Sequence, residues 1–158
     1  MARGKFITLE GGEGAGKSTQ AALLGEGLRE AGIDALVTRE PGGAPGAEDI
    51  RRLLVEGGVS RWQPVTEALL HYAARREHLA QTIFPALDAG RWVVCDRFAD
   101  STMAYQGYGL ELGRDAIARL HEIVVGDFAP DLTVMLDLPA DAGLERAAAK
   151  AGREDRYE

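Results

Sequence analysis

Cysteine is almost missing from this sequence: Cys95 is the only one in 158 residues. A disulfide framework is therefore excluded, which suits a reducing compartment. Cys95 sits inside the apolar run Trp92–Asp96 and reads as a buried strand residue rather than a nucleophile. Long apolar runs are missing too, since nothing approaches the ~18 residues that a membrane-spanning helix needs. Met1–Lys5 lead directly into a short strand pattern, with no charged-then-apolar leader. A cytoplasmic location with no membrane partner is expected. Positive charge is also scarce: 18 Lys and Arg face 25 Asp and Glu, a formal net charge of −7. General nucleic-acid binding needs a basic face and is disfavoured, but an anionic small molecule needs only a few placed cations. Those cations are 15 Arg against 3 Lys. Arginine forks match phosphate and carboxylate oxygens, although a GC-rich genome produces the same bias.

What the chain does have is 46% hydrophobic and 27% charged residues, the balance of one globular domain with a real core. Strand and helix patterns alternate. Lys5–Leu9 is a short apolar run that stops at a glycine cluster, and Lys17–Ala31 reads as a helix with Gly32 past its end. Ala35–Thr38 is a second strand, closed by the breaker Arg39-Glu40-Pro41-Gly42-Gly43, and a helix follows around Ala47–Val55. Pro64–Asp88 is a long helical pattern with Val65, Leu69, Tyr72, Leu79, Ile83 and Leu87 apolar. Trp92–Cys95 is a third strand, Arg114–Val125 a helix, Leu132–Leu138 a fourth strand, and Ala140–Ala151 a last helix. This alternation predicts an α/β fold: a parallel sheet with helices on both faces, in three α/β/α layers. Ligands of such sheets bind at the carboxyl ends of the strands. The glycine cluster, Arg39-Glu40-Pro41 and Asp96-Arg97 all fall at such ends.

Gly11-Gly12-Glu13-Gly14-Ala15-Gly16-Lys17-Ser18 fits G-x-x-x-x-G-K-[ST], between a strand and a helix as that motif requires. Glycines let successive backbone N–H groups turn inward on phosphate oxygens, and the helix that follows adds its partial positive charge. In such a loop Lys17 reaches the β- and γ-oxygens of ATP and Ser18 holds Mg²⁺; Thr19 extends the ATP-contacting stretch. A guanine-reading Asn-Lys-x-Asp and a strand-end Asp-x-x-Gly are both missing, which disfavours a GTPase. Asp137 follows Leu136 at a strand end but is succeeded by Leu138-Pro139. Small-molecule kinases remain.

At this point the sequence resembles bacterial thymidylate kinases over essentially its whole length. The resemblance is carried by Glu10–Lys17, Thr38–Gly43, Tyr72-Ala73-Ala74-Arg75, Asp96-Arg97-Phe98, Ser101-Thr102 with Tyr105-Gln106-Gly107, and Asp155-Arg156-Tyr157-Glu158. It implies a P-loop NTPase fold of the nucleoside-monophosphate-kinase type, phosphorylation of dTMP by ATP with Mg²⁺, and a homodimer formed through long helices. It also implies roles. Glu13 accepts a hydrogen bond from the sugar 3′-hydroxyl and helps with Mg²⁺, and Arg97 clamps the acceptor phosphate. Arg75 points its fork at a thymine carbonyl, Thr102 offers its hydroxyl to the base with Gln106 beside it, and Ser101 shares that segment. Tyr105 packs beside the sugar and disfavours a 2′-hydroxyl. Arg52 contacts phosphate, whereas Arg39 and Glu40 either contact the substrate or only shape the Pro41 turn. One position departs from the family: His71 stands where an aromatic, most often Phe, stacks on thymine, and Tyr72 next to it is a further expected substrate contact, although it cannot share that helix face. Base preference, not the reaction, is what this departure affects.

Phosphoryl transfer needs cations on the moving group. Gly12, Glu13, Gly14 and Ala15, the variable loop positions, include no base. The resemblance therefore points to a lid at about 146–158 with Arg146, Lys150, Arg153 and Arg156, where Arg153 in Gly152-Arg153-Glu154 is the expected catalytic cation. Four strands are identifiable against five in the related kinases, so a C-terminal strand and closing helices are expected beyond Glu158. Two alternatives stay open: another deoxynucleotide or nucleoside kinase on the same core, and a nucleotide-binding module without turnover.

Overall fold

A computed structural model describes residues 2–58 and 61–150, the Lys150 side chain excepted. Four parallel strands form one sheet in the order β2-β3-β1-β4. They are β1 (Phe6–Gly11), β2 (Ala35–Arg39), β3 (Trp92–Asp96) and β4 (Leu132–Leu136). The central strands are apolar on both faces because helices cover both. On one face Phe6, Val93 and Cys95 pack against Tyr72, Leu79, Ile83 and Ile117. On the other, Leu9 and Val94 meet Ala21, Leu24 and Leu28. The expected three-layer α/β architecture is what the chain adopts.

α1 (Lys17–Glu30) follows β1, and α2 (Pro45–Val55) follows β2. α3 (Pro64–His78) runs through a π-helical turn (Leu79–Ile83) into α4 (Phe84–Asp88). Pro85 explains the widening. It has no N–H to give to the preceding turn and its ring would crowd that turn's carbonyl, so the helix opens just before it. The expected apolar face of this long helix divides in two: Val65 and Leu69 are exposed, while Tyr72, Leu79, Ile83 and Leu87 are buried. The buried side of α3 instead carries Glu67, His71, Arg75 and His78 at helical spacing. A core side that is polar marks the site.

After β3 come α5 (Ala99–Thr102), a π-helical segment (Met103–Gly109) and α6 (Arg114–Val124). The helical run Ala99–Gly109 is absent from the sequence reading, because Ser101, Thr102, Gly107 and Gly109 are weak helix formers. α7 (Ala140–Lys150) follows β4. The register Arg39↔Asp96 ends β2 and β3 level, and β1 runs from Leu9↔Asp96 two residues on to Gly11, so the three motifs after them meet at one edge.

Candidate active site

A cavity of about 290 Å³ opens at that edge, between the loop after β1, the turn after β2, the buried side of α3 and the segment after β3. The loop is shaped by its glycines. Gly14 has φ 67, and a Cβ there would lie 2.1 Å from the Gly143 carbonyl oxygen and 3.1 Å from Arg146 Cβ. Gly16 has φ 90 and starts α1 in a left-handed conformation that places the helix N-terminus against the cavity. Lys17 is 6% exposed, and its Nζ donates to the carbonyls of Gly11 at 3.0 Å and Gly12 at 2.7 Å. Burial, and then repulsion from Arg97, lower its pKa. Ser18 donates its hydroxyl proton to Asp96 Oδ2, while Asp96 Oδ1 is buried without a hydrogen-bond partner.

The opposite wall is built on Arg75, 3% exposed. Its Nε donates to Glu40 Oε2 at 2.7 Å, and its Nη2 to the Phe98 carbonyl at 3.0 Å and Thr102 Oγ1 at 2.9 Å. The guanidinium also lies 5.0 Å from the ring centres of Tyr72 and Phe98. Nη1 alone is buried without a partner. The fork is thus held on every side but one. Glu40 is held in turn by His78, whose Nδ1 lies 3.1 Å from Oε1 and whose Nε2 lies 2.8 Å from Thr38 Oγ1. Burial would raise the Glu40 pKa, but Arg75 and then His78 outweigh it and hold the carboxyl below its ordinary value.

Between the two walls stands Arg97, with Nη2 on Glu13 Oε1 and Nη1 3.1 Å from Ser101 Oγ. Tyr105 donates its hydroxyl to the same Glu13 oxygen at 2.9 Å. Burial alone would lower the Arg97 pKa, yet the adjacent Glu13 raises it, so the side chain stays charged. One cavity thus holds a glycine-rich loop, a half-buried guanidinium (Arg97) beside it and a buried one (Arg75).

The sequence profile of thymidylate kinases matches residues 9–158. The chain belongs to the thymidylate kinase family. Its relatives include the thymidylate kinase of Caulobacter vibrioides, 59% identical over 152 residues that span 96% of this chain and 73% of that protein. That of Rhizorhabdus wittichii is 56% identical over 156 residues, 98% and 75% of the two chains. The crystal structure of thymidylate kinase from Ehrlichia chaffeensis superposes with a TM-score of 0.80 at 40% identity, covering 92% of this chain and 77% of that one.

Most residues that the thymidylate kinase resemblance named line this one cavity: Glu13, Gly14 and Gly16 to Thr19 of the P-loop, Arg39 and Glu40, His71 and Arg75, and Arg97, Ser101, Thr102, Tyr105 and Gln106. Gln106 is 2% exposed and donates through Nε2 to Glu67 at 3.0 Å. Two expectations are corrected. Arg52 points outward and pairs with Asp49, while its neighbour Arg51 lines the cavity and donates to the Pro41 carbonyl at 2.8 Å. Tyr72 is a core residue whose hydroxyl reaches the Ile117 carbonyl at 3.2 Å, so it supports Arg75 from below rather than meeting a ligand. The carboxylate beside Ser18 is Asp96, while Glu13 faces Arg97 and Tyr105. Asp96, His78, Glu67 and Arg51 were missed as site residues. A polar stripe at positions 67, 71, 75 and 78 of one helix is the available signal for two of them. Arg153 and the rest of the expected lid beyond Lys150 lie outside the described residues.

Proposed function

We propose that this chain transfers the γ-phosphoryl group of ATP to the 5′-phosphate of dTMP, giving ADP and dTDP. The observation that carries the proposal is one cavity lined by a P-loop and by a buried Arg75 whose Nη1 amino group has no partner. A thymine carbonyl is the kind of neutral acceptor that such a donor suits. Arg97 takes the acceptor phosphate and turns its oxygen toward the γ-phosphorus. As that P–O bond forms, the bond to the β-phosphate oxygen breaks and ADP leaves. Lys17 and the N-terminus of α1 hold the donor phosphates in line. Tyr105 and Glu13 flank the sugar, with Glu13 taking the 3′-hydroxyl, and Thr102, Gln106 and His71 border the base. Arg51, rather than Arg52, supplies the additional phosphate contact.

Among the described residues no cluster of three or more His, Cys, Asp or Glu side chains could hold a metal. The residues nevertheless fit Mg²⁺, which keeps most of its waters and substrate oxygens and needs one or two protein groups. Those groups are the Ser18 hydroxyl and Asp96, whose Oδ1 is buried and unpaired. Bound there with ATP, Mg²⁺ would neutralise charge on the phosphates.

The cation on the moving phosphoryl group is assigned to Arg153, with Arg146 on the ATP side. The close approach of Gly143 and Arg146 to Gly14 supports the role of Arg146, because it brings α7 against the P-loop. The enzyme works in the cytoplasm as a homodimer. Val65 and Leu69, 57% and 49% exposed on α3, offer the apolar face on which a second copy packs. Among the described residues no helix is long and apolar enough to cross a membrane.

ADP release measured over dTMP, dUMP, UMP, CMP and thymidine tests the reaction. Turnover should be greatest with dTMP. Phosphorylation of thymidine but not dTMP would establish a nucleoside kinase, and tight ATP binding without ADP release a non-catalytic module. Sedimentation of wild type and Leu69→Glu tests the dimer, which the substitution should split.

A further inference from the structure

Glu10 plays no part in the chemistry above, yet it is 2% exposed at the end of β1, immediately before the P-loop. A carboxylate in a strand whose other residues are packed in the core is an expensive choice. Burial pushes its pKa up, and hydrogen bonds from Ser101 and Phe98 offset this only in part. Its two oxygens reach across to β3's exit. Oε1 accepts the Phe98 backbone N–H at 2.7 Å, and Oε2 accepts the Ser101 hydroxyl at 2.6 Å. Both donors lie just after Arg97, which has φ 70, a left-handed conformation that a residue with a Cβ seldom adopts without support.

We propose that Glu10 is a positioning residue for Arg97: its carboxylate holds the left-handed turn through the Phe98 amide and aims the guanidinium through the Ser101 hydroxyl. The inference rests on the assignment of Arg97 to the acceptor phosphate. Hydroxyl chemistry explains why a carboxylate is needed. Ser101 has one proton, and giving it to Glu10 leaves only lone pairs to face Arg97, whose Nη1 donates to them at 3.1 Å. The opposite side of the same guanidinium is held by Glu13. Arg97 is thus gripped from two sides, with its backbone fixed between them. A Gln at position 10 would keep an oxygen for the Phe98 amide. Its NH₂ would then donate to Ser101 and compete with Arg97 for the same oxygen.

The test is a double-mutant cycle. Calorimetric titration of dTMP and steady-state kinetics are run on wild type, Glu10→Gln, Arg97→Ala and the double variant, with thermal melts alongside. Glu10→Gln should weaken dTMP binding about tenfold, the loss expected for a disturbed hydrogen bond to a charged group. It should leave KM for ATP within about twofold, and add less than about twofold once Arg97 is already Ala. The same loss of dTMP affinity in both backgrounds would overturn the inference, as would equal rises in both KM values. An Arg97→Ala variant with unchanged dTMP affinity would sink the acceptor-clamp reading itself, and this inference with it. Should Glu10→Gln not fold, Ser101→Ala in the same cycle asks the same question, and additivity with Arg97→Ala would refute the positioning role.

Discussion

Replacing Glu40 by Gln removes one charge from a pair that has almost no access to water, since Glu40 and Arg75 are 5% and 3% exposed. Glu40 binds Arg75 Nε at 2.7 Å with one oxygen and meets His78 Nδ1 at 3.1 Å with the other. Removing one partner of such a pair costs about 3–5 kcal/mol, because the surviving charge is left buried and unpaired. Gln can still accept from Nε, which puts the expected cost near the lower end. For a chain of this size about 3 kcal/mol corresponds to a fall in Tm of about 6–12 °C. The sign with pH follows from Glu40, whose pKa is held below its ordinary value of 4.5 in the folded chain. Its stabilising contribution is full above the unfolded carboxylate pKa and is lost as pH falls through the lowered folded value. The Tm gap between wild type and Glu40→Gln should therefore be full at neutral pH and narrow below about pH 4.5. Differential scanning calorimetry across that range reads both. A gap under about 2 °C at neutral pH, or one that does not close in acid, would refute the account of this wall of the site.

Three further predictions concern individual side chains. Tyr105→Phe should keep the preference for deoxyribose, because exclusion comes from the ring, whereas Tyr105→Ala should relax dTMP over UMP discrimination about tenfold in paired kcat/KM measurements. Arg153→Ala should cut turnover at least about tenfold with little change in dTMP affinity by single-turnover kinetics and titration, as loss of one transition-state cation requires. His71→Phe enlarges the ring beside the base and should lower KM for dTMP about threefold; an unchanged or higher KM would show that position 71 does not stack.

The strands and their order of use were legible from the chain alone. Apolar runs end at glycines or at Asp96-Arg97, and the P-loop signature marks the turn between β1 and α1. Adjacent residues were harder to tell apart. Arg51 and Arg52 have the same chemistry, and only the rotation of α2 decides that one reaches Pro41 and the other Asp49. Tyr72 looked like a ligand contact because it borders His71, but one step along a helix turns the side chain by about 100°, into the core. The run Ala99–Gly109 was not read as helical because its Ser, Thr and Gly content argues against a helix, and tertiary packing overrides that preference. Asp96 was noticed as a marker, but its meeting with Ser18 depends on a contact 78 residues apart that no local pattern encodes.

The central claim is that the acceptor must carry a phosphate, held by Arg97 opposite the P-loop. The ratio of kcat/KM for dTMP to that for thymidine, measured in wild type and in Arg97→Ala, tests it most directly. The account predicts a ratio above about 1000 in wild type that falls at least about a hundredfold in Arg97→Ala, as loss of a buried charged contact to phosphate should produce. A wild-type enzyme that uses thymidine as well as dTMP, or a ratio that Arg97→Ala leaves unchanged, would contradict it.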